Sequence, residues 1–211
     1  MTGATGYMGR ALIPALLDRG HEVRALVRGA SAQRVPPGAE VIVGNALDAA
    51  TFSGAIAPAD TLVHLIGTPH PSPAKAASFR DVDLRSVDAA LAAARAAGVR
   101  HFVYVSVAQP APVMKAYVAV RQAGEERIHA SGIAATLLRP WYVLGPGHRW
   151  PCLLLPAYAL LALLPPTREA AQRLGLVTLE QMVGALVASI EGGPRGVRII
   201  DVPGIRAATT T

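Results

Sequence analysis

Residues 1–10 read MTGATGYMGR. Gly3, Gly6 and Gly9 recur at every third position and run straight into YMGRALIPALLDRG. There Met8, Leu12 and Leu16 fall at helical spacing, and Gly20 supplies a C-terminal stop. A tight glycine turn that opens a helix has a physical use. A backbone without side chains can be approached closely, and the first helical N–H groups have no partner inside the helix. Those groups and the positive end of the helix dipole together favour an anion, above all a phosphate. Thr5, Tyr7 and Met8 complete this loop.

Working outward, the chain alternates strand and helix. HEVRALVRG reads as a strand ending at Arg28, and AEVIVGNALD as a strand over Glu40–Val43 running into a loop. DTLVHLIGT is the near-continuous apolar run of a strand covered on both faces. A helix follows over 79–97, stopped by Gly98; then come the strand HFVYVSV, the helix AYVAVRQAGEERIHASG and the strand AATLLRP. This order predicts an α/β fold: a Rossmann-type, doubly wound parallel sheet with right-handed crossovers. One domain is expected over residues 1–211. Within it, 141–211 forms a small substrate-side lobe, because Pro146, Pro151, Pro156, Pro165 and Pro166 break the rhythm there. The end of the chain, through LGLVTLEQMVGALVASIEGG and GVRIIDVPG, reads as a helix between two short strands.

Composition narrows the function. Hydrophobic residues make up 52% and charged ones 16%, which describes a globular chain with a substantial core. The net charge of +6 comes from 18 arginines and two lysines scattered along the chain, so no nucleic-acid surface is expected. Cys152 is the single cysteine, which excludes an internal disulfide and fits a cytoplasmic protein without a secretory leader. The apolar run CLLLPAYALLALL is shorter than the ~20 residues a membrane span needs, and Pro156 interrupts it; a buried helix or a pocket wall is expected. No His, Cys, Asp or Glu cluster has metal-ligand spacing, so no metal is expected.

In a parallel α/β sheet, ligands bind beyond the carboxyl ends of the strands. With a dinucleotide at the glycine turn, the residue closing the second strand reads the adenosine ribose. An acid there bonds the free 2′-hydroxyl of NAD; an arginine accommodates the 2′-phosphate of NADP. That residue is Arg28, with no acid before Glu40 and Arg34 nearby. NADP is expected, with NAD the alternative.

Several segments then resemble one family. TGATGYMG is similar to the glycine loop of the short-chain dehydrogenase/reductase superfamily, in its extended and atypical branches. GNALD resembles its adenine-contacting segment, which implies Asn45, Ala46 and Leu47 as cofactor contacts. VHLIGT resembles the strand and loop beside the riboses, implying Gly67 and Thr68; HFVYVSV and ATLLRPWYVLGPG resemble the fifth and sixth strands, implying Pro140. The resemblance runs from residue 2 to about 204 and is best to the subgroup of NmrA-like regulators and the NADPH-binding accessory subunit of respiratory complex I. In that family an apolar strand precedes the Thr-Gly pair. Here only Met1 and Thr2 stand in its place, so the first strand is expected to be truncated. Its neighbours would be left with unpaired backbone groups at ~1–3 kcal/mol each, unless the sheet closes around the gap.

The resemblance also implies chemistry. The family's reductases use a tyrosine and a lysine four residues apart, on one helix face, with a serine or threonine. Tyr117 and Arg121 have that spacing, with arginine in place of lysine, and Ser106 fits the hydroxyl position. Arginine keeps the charge but cannot relay protons. Three readings stay open: an NADPH-dependent oxidoreductase of a small apolar carbonyl or quinone-like substrate, a non-catalytic NAD(P)H-binding redox sensor or complex stabiliser, and a sugar-nucleotide epimerase or dehydratase. A homodimer through the helices at 79–97 and 117–131 is a further implication. His64 reads as a core histidine. His148, Arg149, Trp150, Tyr158 and the leucines of 153–164 read as pocket residues.

Overall fold

The computed structural model describes residues 1–68, 72–146 and 165–208. The expectations for His148, Arg149, Trp150, Cys152, Tyr158 and the apolar run of 152–164 fall outside these residues. The strands β1 (Arg24–Val27), β2 (Glu40–Val43), β3 (Thr61–His64), β4 (His101–Val105), β5 (Ala134–Leu138) and β8 (Val197–Ile200) all pair in parallel. β6 (Tyr142–Leu144) and β7 (Leu176–Thr178) make a separate parallel pair. Helix α1 spans Tyr7–Leu17 and α2 Ser53–Ile56. A helical rod follows: α3 (Ala76–Ser78), a π-helical turn (Phe79–Leu84) and α4 (Arg85–Ala96). Then come α5 (Lys115–Ala130), α6 (Pro165–Arg173), α7 (Leu179–Glu191) and α8 (Val202–Ala207). The predicted helix over 79–97 is therefore present, but it opens as a π turn.

Strand periodicity divides the core between two faces. Val103 and Val105 of β4 pack with Leu12, Ile13 and Leu16 of α1 and with Met182 and Leu186 of α7. Phe102 and Tyr104, the alternate residues, pack with Val87, Ala90 and Ala94 of α4 and Ile128 of α5. Side chains alternate across a strand, so both faces need a helical cover, and the crossovers provide it.

The sheet has a seam. β1–β2 and β3–β4–β5–β8 are two hydrogen-bonded groups, joined among the described residues by Met1 and Thr2. Leu26 N–H donates to the Met1 carbonyl at 2.9 Å, Thr2 N–H to the Val63 carbonyl at 2.9 Å, and Leu65 N–H to the Thr2 carbonyl at 3.4 Å. Two residues thus carry the pairing between the flanking strands at the carboxyl end. At the amino end, a cavity of about 340 Å³ opens between Val23–Arg24 and Asp60–Thr61, walled by Leu16 and Ile190. The connection from Thr2 turns to one side of the seam and that from β2 crosses to the other, so the seam is the topological switch point.

Candidate functional site

Gly3 leaves the seam and turns with φ +71°, a left-handed conformation that glycine adopts without a Cβ penalty. A Cβ there would lie 2.9 Å from the Leu65 carbonyl carbon. Gly6 N–H closes the turn on the Gly3 carbonyl at 3.0 Å, and Gly6 then caps α1 without any side-chain bond. A Cβ on Gly9 would stand inside the contact distance of the Gly3 and Ala4 carbonyls, so only glycine lets the turn fold against the helix. The open amino end of α1 thus faces the carboxyl end of the sheet.

A cavity of about 730 Å³ begins at this turn. Of the residues expected to bind or react, Gly3, Gly6, Tyr7, Met8, Gly9, Gly67, Thr68, Ser106, Tyr117, Arg121 and Pro140 line it. Thr5 stands in the turn without lining the cavity. Arg28, Asn45, Ala46 and Leu47 lie outside it too, because they follow β1 and β2 on the far side of the seam. Arg28 is exposed, precedes the 3₁₀ turn Gly29–Arg34, and its guanidinium has no partner among the described residues. Lys115 is exposed at the start of α5 and away from the cavity.

The β4–β5 pairing continues past the strands and fixes Ser106 and Pro140 in the cavity wall. Ser106 N–H donates to the Leu138 carbonyl at 2.7 Å, and Ala108 N–H to the Pro140 carbonyl at 2.9 Å. Ser106 is 4% exposed, and its hydroxyl has no hydrogen-bond partner among the described residues. Glu125 of α5 ties this loop down: it accepts from Arg139 Nε at 3.0 Å and from Gln109 Nε2 at 2.9 Å.

Arg121 is built into the wall. Its NH1 donates to the Ile66 and Val105 carbonyls and to the Tyr104 hydroxyl, each at 3.2 Å. Its NH2 meets Asp83 Oδ2 at 3.2 Å, in an ion pair with side chains 4% and 0% exposed. The guanidinium carbon lies 5.1 Å from the centroid of Tyr117 and 5.6 Å from that of Tyr104. Burial alone works against the cation, and Tyr104, Tyr117 and Asp83 outweigh it, holding the Arg121 pKa above its ordinary value. Burial pushes the Asp83 carboxyl above the usual carboxylate range, while Arg121 and two bonds from Thr68 pull it back. Burial likewise raises the Tyr104 hydroxyl.

Asp83 and Tyr104 were missed by motif. Asp83 had a signal: with Val87, Ala90 and Ala94 it occupies the inward stripe at i, i+4, i+7 and i+11, where a carboxylate is costly unless paired. His64 is fully buried and hydrogen-bonded at both nitrogens, as expected of a core histidine. Among the described residues no His, Cys, Asp and Glu group could hold a metal, and no helix is long and apolar enough to cross a membrane.

Residues 3–147 match the family described as NAD(P)H-binding. A ceramide reductase of Caulobacter vibrioides is 30% identical over 193 residues, covering 89% of this chain and 59% of its own length. A 3-diazoavenalumate denitrifying reductase of a Streptomyces species is 32% identical over 226 residues, covering 93% of this chain and 73% of the relative. The chain thus spans about three fifths of the first relative's length. In structure, a short-chain dehydrogenase/reductase superfamily protein from Agrobacterium tumefaciens with bound NAD superposes with a TM-score of 0.66 at 20% identity, over 94% of this chain and 75% of that one; this is a likeness of fold. A glycine turn at the switch point, an open helix end beyond it and a match over residues 3–147 agree: the chain belongs to the NAD(P)H-binding family.

Proposed function

We propose that the chain is an NADPH-dependent oxidoreductase acting on a carbonyl carried by an apolar molecule. The carrying observation is the Ser106 hydroxyl: buried, without a partner among the described residues, and on the same cavity as Tyr117 and the glycine turn. An unsatisfied buried hydroxyl costs about 1–3 kcal/mol, which a bound carbonyl oxygen would recover. The residues also fit the dinucleotide. Gly3, Gly6, Gly9 and the amino end of α1 would hold its diphosphate, where Cβ atoms would block the approach. Gly67, Thr68 and Pro140 would border its nicotinamide half; Asn45, Ala46 and Leu47 would border the adenine, and Arg28 the 2′-phosphate. When bound, the nicotinamide supplies a hydride.

The chain's own residues supply the rest. Ser106 donates a hydrogen bond to the carbonyl oxygen and orients it. Tyr117 gives its hydroxyl proton to that oxygen as negative charge develops there. Arg121, fixed against the Tyr117 ring, stabilises the charge left on the tyrosine. Arginine does not release a proton, so Tyr117 regains its own from water at the cavity mouth. The far walls, Val107, Met114, Trp141, Tyr142 and Val143, suit an apolar substrate, and the relative named as a ceramide reductase supports the same class.

NADPH consumption followed against a panel of apolar ketones and aldehydes tests this. Tyr117→Phe is expected to lower kcat roughly a hundredfold or more, and Ser106→Ala roughly tenfold or more, with the NADPH Kd unchanged. The commitment of Arg121 to the protein favours one second reading, a cofactor-binding protein without turnover. Tight NADPH binding with no carbonyl reduced would overturn the oxidoreductase and support that reading.

A further inference from the structure

We propose that Asp83 is a positioning residue that locks the Gly67–Thr68 turn and the Arg121 guanidinium into one rigid wall of the dinucleotide cavity. The inference rests on the cofactor-binding part of the reading above. Asp83 itself does not line the cavity; Gly67, Thr68 and Arg121 do. Its Oδ1 accepts from both the N–H and the hydroxyl of Thr68, each at 2.8 Å. Its Oδ2 takes Arg121 NH2 at 3.2 Å. One fully buried carboxylate thus joins the loop after β3, the helical rod and α5.

The local fold is shaped around this junction. The π turn Phe79–Leu84 carries Asp83, and a wider turn of this kind re-aims side chains at functional sites. The guanidinium fills the space a Cβ at residue 67 would take, so a side chain there would displace Arg121. Both donors of Thr68 turn toward Asp83, so their orientation is settled before any ligand arrives. A buried cation held only by carbonyls and a hydroxyl would be undercompensated, and Asp83 supplies its anion. The ion pair also keeps Arg121 from swinging into the cavity.

Asp83→Asn tests this. The side chain keeps its volume and one acceptor for Thr68 but turns an amide NH₂ against Arg121. In the free protein, amide exchange in peptides covering residues 65–68 is expected to quicken at least tenfold, with the β4 and β5 strands unchanged. The NADPH Kd, read by fluorescence titration, is expected to rise roughly tenfold. In an Arg121→Gln background the same change is expected to cost less than threefold, because Asp83 acts through Arg121. Equal exchange at 65–68, quickening spread evenly through the core, or a Kd penalty equal in both backgrounds would each overturn the proposal. Should Asp83→Asn fail to fold, Thr68→Val removes one bond to Asp83 at nearly constant volume. A rise of threefold or more in Kd is then expected, and an unchanged Kd overturns the idea. A parent that binds NADPH but reduces no carbonyl sinks the oxidoreductase reading and leaves these comparisons intact; a parent that binds no dinucleotide leaves the exchange comparison to decide.

Discussion

His64 makes the protein lose stability on acidification, by an amount the structure sets. The ring is fully buried between Phe102 and Tyr104, with centroids 6.0 and 5.9 Å away. Ser86 gives its one hydroxyl proton to the Asp83 carbonyl at 2.8 Å, so its oxygen accepts from His64 Nε2 at 3.1 Å. Nδ1 then accepts from the Thr2 hydroxyl at 2.9 Å. A neutral imidazole with its proton on Nε2 satisfies every partner. Burial first, then the charges of Arg121 and the terminal amine, lower the His64 pKa from 6.5 to about 3. The unfolded chain therefore takes up a proton below about pH 6.5 that the folded chain refuses until about pH 3. The contribution is complete above pH 6.5 and shrinks as pH falls through that window. Two pH units into it, near pH 4.5, the loss is about 3 kcal/mol, at ~1.4 kcal/mol per unit. Urea denaturation by circular dichroism from pH 7.5 to 4.5 should show it as a difference in slope between the parent and His64→Gln. The variant starts lower, and the gap between the curves narrows by about 3 kcal/mol on acidification. Parallel curves would mean that His64 accepts its proton in the folded state, and the reasoning fails.

Two further changes probe the cofactor end. Arg28→Ala should weaken NADPH binding roughly tenfold and leave NADH unchanged, since an exposed cation facing a phosphate contributes about 1–2 kcal/mol; equal effects on both cofactors in a fluorescence titration would remove Arg28 as the discriminating residue. Gly3→Ala should cost at least about 1–2 kcal/mol for the left-handed backbone alone, with a further penalty for a Cβ 2.9 Å from Leu65; a thermal midpoint equal to the parent's would show that the turn is not tight.

Much of the architecture was legible because it repeats. Short apolar runs covered on both faces marked β3, β4 and β5, and glycines at 20, 98 and 132, all with positive φ, marked helix ends. The glycine turn was legible because its geometry tolerates one residue type at Gly3 and Gly9. What a linear motif could not carry was the partnership of distant residues. Asp83 and Arg121 are 38 positions apart, and neither announces the other. Thr68 could be placed near a cofactor by resemblance, but not the direction of its hydroxyl, which a helix 15 residues downstream decides. That Met1 and Thr2 would pair with β1 on one side and with β3 on the other depended on where two distant strands came to lie.

The exchange of lysine for arginine at position 121 changes what the rest of the site must provide. A lysine on a flexible stem can meet a ligand and hand on protons; a guanidinium fork needs several planar partners and a nearby anion. Here the partners are three oxygens from β4 and the β3 loop, and the anion is Asp83. The cation is thereby moved from the cavity into its wall, and Tyr117 is left facing it across a ring contact of 5.1 Å. A fixed charge behind a tyrosine still favours proton transfer from that tyrosine, because charge stabilisation needs proximity rather than exchange. In the mechanism proposed above, proton return, in contrast, comes through solvent. Turnover should therefore show a kinetic step sensitive to deuterated water and to cavity-mouth crowding, while the binding of the dinucleotide, assigned by these proposals to the glycine turn and the Asp83-held loop, should show neither.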